Sequence, residues 1–238
     1  MTRREALVRT AAATLAATGM ATPGVVFAAD YSQTPGVTEG PYWVDAGLNR
    51  SDLRSNVVNG VSGATIAGLP LNLAVNVSKL TNNKLVPVNG AKVDIWQTNA
   101  LGVYSAIQSE GTTGQNYLRG YQLTNAHGNV KLVAVYPGWY SGRTVHTHFR
   151  VRLYSGTTVA YNFVSQMFYN DTTTTQVFAA SAPYNTRGTR TTTNATDGIY
   201  HGGSQGVGGS VASEAGSYLL LRLAANTTRA TASFTVVL

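Results

Sequence analysis

Two of the four histidines in this 238-residue chain, His146 and His148, are separated by a single residue. They lie in a segment where apolar and polar residues alternate, which predicts a β-strand. Because successive side chains on a strand point to opposite faces, both imidazoles are expected on one face, opposite the apolar positions. Neutral imidazole is a common metal ligand, so the pair could bind one metal ion. On its own, such a pair is more typical of a surface or structural strand.

The absence of cysteine limits the other donors that a metal site could use. Thiolate sites and cysteine nucleophiles are excluded, and any metal must be held by His, Tyr, Asp or Glu. Apart from Glu39, Asp94 and Glu110 are the only acids near the motifs described below, too few for hydrolysis by paired carboxylates. A zinc hydrolase built on His146 and His148 is therefore disfavoured. The sequence also lacks a Gly-rich phosphate loop and a Gly-x-Ser-x-Gly elbow.

Charge and composition indicate a folded chain with small-molecule partners. Hydrophobic residues make up 43% and charged residues 11% of the sequence. The formal net charge of +7 becomes +5 once Arg3, Arg4, Arg9 and Glu5 are removed with the predicted signal. This excess is scattered, which favours a mild attraction for anionic small molecules and argues against a nucleic-acid partner.

Residues 1–28 are predicted to be an export signal. Arg3-Arg4 precedes a weakly polar run that ends at Val26-Phe27-Ala28, where a small residue suits signal peptidase. The arginine pair favours the twin-arginine route, which exports folded proteins, over an ordinary secretory signal. The run is interrupted by polar residues and Pro23, and no other segment is suited to span a bilayer. We therefore expect a secreted protein without stable membrane insertion after signal removal.

Residues 29–238 are predicted to form an all-β fold, a single β-sandwich domain with long loops. Many short alternating segments and almost no helical periodicity indicate this class. Residues 180–209 show no period and are predicted to be a long surface excursion. The predicted strands are 71–77, 91–97, 117–123, 129–135, 145–153, 159–163, 166–169, 218–223 and 231–238, with a short edge at 86–88.

Four motifs follow one another along the chain: EGPY at 39–42, DIWQTNALGVYS at 94–105, LRGYQLT at 118–124 and PGWYSGRTVHTHFRV at 137–151. In this order they resemble the motifs of the intradiol ring-cleavage dioxygenases, the family of catechol and protocatechuate dioxygenases. The resemblance covers roughly residues 38–170 and implies the same β-sandwich.

The resemblance implies a non-haem Fe(III) cofactor and a role for each matching residue. Tyr104 and Tyr140 match the two tyrosine ligands of the family, and the histidine pair matches its two histidine ligands. Arg143 matches the arginine that faces the bound ring, and Gln166 is similar to the family's active-site glutamine. Phenolate is a hard anionic donor that favours Fe(III), and the metal would hold each tyrosine ionised.

The reaction implied by the resemblance is intradiol cleavage of a small aromatic diol by O2, giving a cis,cis-muconate-type diacid. The diol would bind as a dianion through both oxygens, displacing Tyr140, which could accept a substrate proton, while Tyr104 stays bound. Arg143 would stabilise negative charge that develops on the ring.

Each of these residues also has a simpler interpretation. The two tyrosines could be members of a set of thirteen that satisfy loop backbones, and Arg143 could pair with Asp94 or Glu39. His127 and His201 are expected at the surface, since turn histidines rarely do chemistry alone. The alternative function is a non-catalytic secreted β-sandwich module. It would bind sugars or phenolics through the aromatic residues Tyr42, Trp43, Trp96 and Trp139.

The sequence departs from the family pattern in two places. Thr147 lies between the histidines where an aliphatic residue is usual, on the side expected to face the core. Only about ten residues separate the predicted mature start from Glu39, so no helical dimerisation region is expected. Neither the preferred catechol nor the oligomeric state follows from the sequence.

Overall fold

The computed structural model describes residues 32–202 and 214–238, so the predicted export signal lies outside the described residues. Within these ranges no helix has the length and apolar character that crossing a membrane requires. The strands are β1 (Ser55–Val58), β2 (Val61–Thr65), β3 (Pro70–Thr81), β4 (Lys84–Pro87), β5 (Lys92–Trp96), β6 (Arg119–Leu123), β7 (Asn129–Val135), β8 (His146–Ser155), β9 (Thr158–Phe168), β10 (Arg222–Ala225) and β11 (Ala230–Val237); the α-helices are α1 (Asp171–Ala180) and α2 (Ala215–Tyr218).

Two sheets form the sandwich. In the first, β3 pairs in parallel with β11 on one edge and antiparallel with β7 and β4 on the other, and β10 pairs with the outer edge of β11. The second sheet is antiparallel, in the order β6-β5-β8-β9. Strands β1 and β2 form a separate two-stranded sheet.

The core between the sheets is built from the alternate residues of each strand that form its apolar face. Leu71, Leu73, Val75 and Val77 are buried along β3, and the residues between them are more exposed. Phe149 of β8 reaches across to Phe234 of β11, with ring centroids 5.7 Å apart. Because the apolar positions of β8 face this core, its histidines lie on the opposite face of the second sheet.

The register of the second sheet brings four distant residues into one row. Trp96 of β5 pairs with Arg119 of β6 on one side and with His148 of β8 on the other. His148 in turn pairs with Gln166 of β9. Residues directly opposite one another on neighbouring strands share a face, so this row forms a floor for the functional site.

The predicted all-β sandwich is confirmed, but several elements differ from the sequence prediction. The segments 159–163 and 166–169 belong to one continuous strand, β9. Residues 218–223 were predicted to be a strand, yet they contain the end of α2, and β10 begins only at Arg222. Helix α1 was not predicted because its threonine-rich sequence has no apolar periodicity; it begins at an N-cap, Asn170, whose side chain accepts from Thr173 N.

Residues 180–202 are only partly the surface excursion that the sequence predicted. Tyr184 and Asp197 are buried, with 2% and 1% exposure. Tyr184 accepts a hydrogen bond from Leu69 N and donates one to the carbonyl of Tyr136, which anchors the segment to the sandwich. The predicted remainder, 203–209, lies outside the described residues.

Candidate metal centre

The side chains of His146 and His148 are both buried, at 3% exposure, although they point away from the core between the sheets. The extended segment before β1 contributes to the cover over this face. A Cβ built on Gly40 would lie 3.4 Å from Cε1 of His148, so the chain passes closely over that imidazole. The pair is therefore a buried feature, unlike the surface pair that its motif alone would suggest.

His146 is oriented by the backbone two residues before it. Its Nδ1 lies 2.7 Å from the carbonyl oxygen of Thr144, which fits an Nδ1–H donor and leaves Nε2 with a free lone pair. This Nε2 is 3.1 Å from Nε2 of His148. The Nδ1 atom of His148 is buried and has no hydrogen-bond partner among the described residues. Two imidazole nitrogens thus face each other across a gap suited to a shared cation.

Tyr104 is delivered by the loop that follows β5. Asn99 organises this loop, because its side-chain oxygen accepts from Leu101 N and Val103 N at 2.9 and 3.1 Å. The carbonyl of Tyr104 accepts from the hydroxyl of Thr112 at 2.7 Å. The ring is 1% exposed, so Tyr104 is fixed on both its backbone and its side chain.

Tyr140 is delivered by a second loop, which packs closely on the first. The amide of Gly138 donates to the carbonyl of Asn99 at 2.9 Å, and Thr98 Oγ1 donates to the carbonyl of Gly138. A Cβ on Gly138 would lie 2.3 Å from the carbonyl oxygen of Ala100, so only glycine permits this approach. The two tyrosine-bearing loops are therefore held together by backbone contacts.

The four predicted donor atoms converge. The hydroxyls of Tyr104 and Tyr140 each lie 3.3 Å from Nε2 of His146, which is also next to Nε2 of His148. In the described part of the chain no three His, Asp or Glu side chains are placed to share a metal. A metal held here would need both phenols, and two phenols with two imidazoles form a donor set suited to Fe(III).

Burial sets the protonation states of these four side chains when no metal is bound. Burial, with a smaller contribution from Arg143, lowers the pKa of both His146 and His148 well below the ordinary value, so both imidazoles are neutral. Burial also raises the pKa of Tyr104 and of Tyr140. Both phenols therefore stay protonated until a cation replaces their protons.

Arg143 and Gln166 lie together at the edge of this cluster. Nη2 of Arg143 donates to Oε1 of Gln166 at 2.6 Å, and Nε2 of Gln166 donates to the carbonyl of Thr38. All six predicted site residues are thus brought to one place. The suggested pairing of Arg143 with Asp94 or Glu39 is wrong: its carboxylate partner is Asp197, at 2.9 Å from Nε. Asp94 pairs with Arg152, and Glu39 pairs with Arg150.

Two residues near the cluster were missed by the sequence analysis. Asp197 lies in a segment without periodicity, so no pattern marked it. The chain has only ten acidic residues, however, and this scarcity could have pointed to Asp197 as a partner for one of the arginines. Arg119 belongs to one of the recognised motifs but was given no role. Its guanidinium is 1% exposed, and it donates from Nε and Nη2 to the carbonyl of Ser105, next to Tyr104.

The aromatic residues of the alternative binding module do not form an exposed platform. Trp96 is 1% exposed and stacks on His148, while Trp43 and Trp139 are half-buried under Arg150 and Arg187. His127 and His201 are exposed, as the sequence predicted. His201 pairs with Glu214 at the surface.

The fold is a β-sandwich with a buried cluster of two tyrosines and two histidines, and the comparisons with known proteins identify its family. Residues 38–198 match the family model for dioxygenases (Dioxygenase_C). The chain belongs to this family, the intradiol ring-cleavage dioxygenases. No curated protein sequence matches the chain.

Solved structures of the same kind superpose on most of the chain. An intradiol ring-cleavage dioxygenase from Tetranychus urticae is 25% identical, with a TM-score of 0.68 over 87% of this chain and 94% of that one. The dioxygenase domain of a carbohydrate-binding fusion protein from Streptomyces sp. SirexAA-E is 24% identical, with a TM-score of 0.56 over 87% and 98%. The 3-chlorocatechol 1,2-dioxygenase from Rhodococcus opacus 1CP, at 16% identity, covers 87% and 73% with a TM-score of 0.54.

Proposed function

We propose that this protein is a non-haem Fe(III) dioxygenase that cleaves catechol-type diols between their hydroxylated carbons, giving cis,cis-muconate-type diacids. The observation that carries the proposal is the convergence of the hydroxyls of Tyr104 and Tyr140 with Nε2 of His146 and His148. Both atoms of O2 enter the product, so the reaction needs no external reductant. Bound Fe(III) would supply Lewis-acid activation of the diol.

The two tyrosines differ in a way that suits different roles. Tyr104 is almost fully buried and is held by the hydrogen bonds of its loop. Tyr140 is half-buried on a turn that contains Gly142, with φ of 86°. With Fe(III) bound, Tyr104 would be the tyrosine that holds the metal throughout, and Tyr140 would be the one free to move away when a diol binds. The phenolate oxygen of Tyr140 would then be available to accept a proton from a diol hydroxyl.

Arg143 is placed to stabilise negative charge on the bound ring. Its side chain is 15% exposed and lies beside the cluster of proposed ligands. A fixed guanidinium aimed at developing charge costs no reorganisation during the reaction, which makes this kind of stabilisation effective. Gln166 holds the guanidinium from one side through Nη2 and is itself tied to the backbone at Thr38.

The visible absorption of the iron-loaded protein tests this proposal. Tyrosinate bound to Fe(III) gives a charge-transfer band, so the purified protein is expected to be wine-red and to take up oxygen with catechol. Tyr104→Phe should lose most of this colour, whereas Tyr161→Phe, which alters a tyrosine of β9 outside the cluster, should keep it. A well-folded wild-type protein that binds no iron and stays colourless would overturn the proposal. If the wild-type protein binds iron and is coloured, the rates of oxygen uptake with catechol, protocatechuate and hydroxyquinol rank these three substrates.

We further propose that residues 1–28 direct export by the twin-arginine route and that the enzyme acts outside the cell. This rests on the arginine pair and the apolar run of the sequence. Replacing Arg3 and Arg4 together by lysine should retain the protein inside the cell, as cell fractionation would measure. Unchanged export of that variant would contradict the twin-arginine route.

A further inference from the structure

Asp197 is a buried carboxylate that connects the 181–202 segment to the candidate site. Its side chain is fully buried, and its two oxygens have different partners. Oδ1 accepts from the amides of Ile199 and Tyr200 at 2.7 and 3.0 Å, which closes a turn within its own segment. Oδ2 accepts from Nε of Arg143 at 2.9 Å and from the amide of Thr144 at 2.7 Å.

The guanidinium of Arg143 is consequently held by two of its three nitrogens. Asp197 binds Nε and Gln166 binds Nη2, while Nη1 has no hydrogen-bond partner among the residues that the structure describes. Because the guanidinium is planar, two contacts to different side chains fix both its plane and its direction. The nitrogen left over is the one available to a bound ligand.

The same carboxylate also stiffens the backbone between Arg143 and the first histidine. The amide of Thr144 donates to Asp197, and the carbonyl of Thr144 accepts from Nδ1 of His146. An effect of Asp197 on the site could therefore pass through Arg143 or through this peptide. The experiment must separate the two routes.

We propose that Asp197 is a positioning residue for ring cleavage, which orients the guanidinium of Arg143 toward the bound diol. The inference rests on the proposed function, because it is a diol in this site that Arg143 would face. The long segment after α1 thus contributes Asp197 to the site. An unfixed arginine would keep its charge but lose the orientation that makes the charge effective against a developing anion.

Asp197→Asn distinguishes the contacts made by the two oxygens of this carboxylate. The asparagine retains one oxygen for Ile199 and Tyr200 but places an amide group against the donors of Arg143 and Thr144. With catechol as substrate, kcat/KM should fall about tenfold or more. The dissociation constant of 4-nitrocatechol should rise, and the absorbance change on binding measures it. Thermal unfolding shows whether the variant is folded.

A double-mutant cycle with Arg143→Gln identifies the route. If Asp197 acts through Arg143, the double variant should bind 4-nitrocatechol no more weakly than Arg143→Gln alone. Effects that multiply would mean that Asp197 acts elsewhere, and they would overturn the proposal. Should Asp197→Asn fail to fold, Arg143→Lys supplies the test, because an ammonium keeps the charge but cannot span both anchors. Wild-type binding and turnover in Arg143→Lys would equally overturn it.

Asp171→Asn is the matched control. Asp171 binds Arg190 and the amide of Asn194, so it anchors the same segment without contacting Arg143. This variant should keep 4-nitrocatechol binding and turnover within about twofold of wild type. A loss as large as that of Asp197→Asn would indicate a general role of the segment and contradict the proposal. If the wild-type protein neither binds nor cleaves catechols, the proposed function itself fails, and that result is visible before any variant is compared.

Discussion

The indole of Trp96 stacks face to face on the imidazole of His148, with ring centroids 4.8 Å apart and planes only 7° from parallel. Nδ1 of His148 has no hydrogen-bond partner among the described residues, so no such bond sets the ring plane. In most metal sites a hydrogen bond to the second nitrogen orients a histidine ligand. Here the stacked indole, itself in edge-to-face contact with Trp43, fixes the plane of the His148 ring instead.

Trp96→Leu should therefore weaken iron binding more than its effect on folding would suggest. Loss of a group that orients a ligand typically costs about 10-fold to 100-fold in metal affinity. Competition with a chelator would measure this change. Phe178→Leu is the matched control, because Phe178 stacks on Tyr184 at 9° in a cluster that contains no proposed ligand. It should lower the free energy of unfolding without changing iron affinity; equal effects of both variants would contradict the assignment.

Gly138→Ala should separate the two loops that carry the tyrosines. The added methyl group would meet the backbone of Ala100 at 2.3 Å, a contact that only a shift of one loop can relieve. Tyr104 and Tyr140 could then no longer converge on one metal, and the iron-loaded protein should lose its visible band. Gly63→Ala in β2 has an ordinary 3.6 Å contact and should keep the band. A Gly138→Ala protein with the wild-type spectrum would show that the loops are not coupled in this way.

What the sequence could and could not predict follows from the range of the interactions involved. The alternation along β3 and β8 is local, so the strands and the shared face of His146 and His148 were predictable. Helix α1 was missed because tertiary packing, not apolar periodicity, stabilises its threonine-rich sequence. Asp197 was missed because its partner is 54 residues away and nothing local marks the contact. Likewise, the Trp96 stack depends on strand register, which the sequence alone does not provide.

Arg119→Lys should destabilise the loop that carries Tyr104. The guanidinium contacts the carbonyl of Ser105 through two nitrogens at 3.1 and 2.8 Å, and an ammonium cannot reproduce this fork. We expect a loss of about 1–3 kcal/mol in the free energy of unfolding, measured with urea. Arg222→Lys on the exposed edge strand β10 is the control and should be within about 0.5 kcal/mol of wild type. Equal stability of both variants would exclude the proposed anchoring of the loop by Arg119.

Asp94 should make the iron-free protein less stable as the pH rises from about 4 to about 6. Burial raises the pKa of Asp94 to about 6, despite the opposing attraction of Arg152 and Lys92. The folded protein thus holds this proton more tightly than the unfolded chain, and ionisation costs up to about 3 kcal/mol. His146 and His148, whose pKa values are lowered by burial, act in the opposite sense over this range, so the contribution of Asp94 is measured as a difference between proteins. In urea unfolding, Asp94→Asn should gain more stability than the wild type between about pH 4 and about pH 6, whereas Asp52→Asn, whose altered carboxylate is exposed, should follow the wild type. The same pH dependence in Asp94→Asn and the wild type would disprove this origin.

The fate of molecular oxygen tests the central claim most directly. Catechol should be incubated with the iron-loaded wild-type protein under ¹⁸O2, and the product identified by mass spectrometry. A ferric site formed by Tyr104, Tyr140, His146 and His148 predicts cis,cis-muconate that contains both labelled oxygen atoms. A yellow semialdehyde, formed by cleavage of the ring bond next to the two hydroxylated carbons, would contradict it. So would unchanged catechol after incubation with the iron-loaded protein.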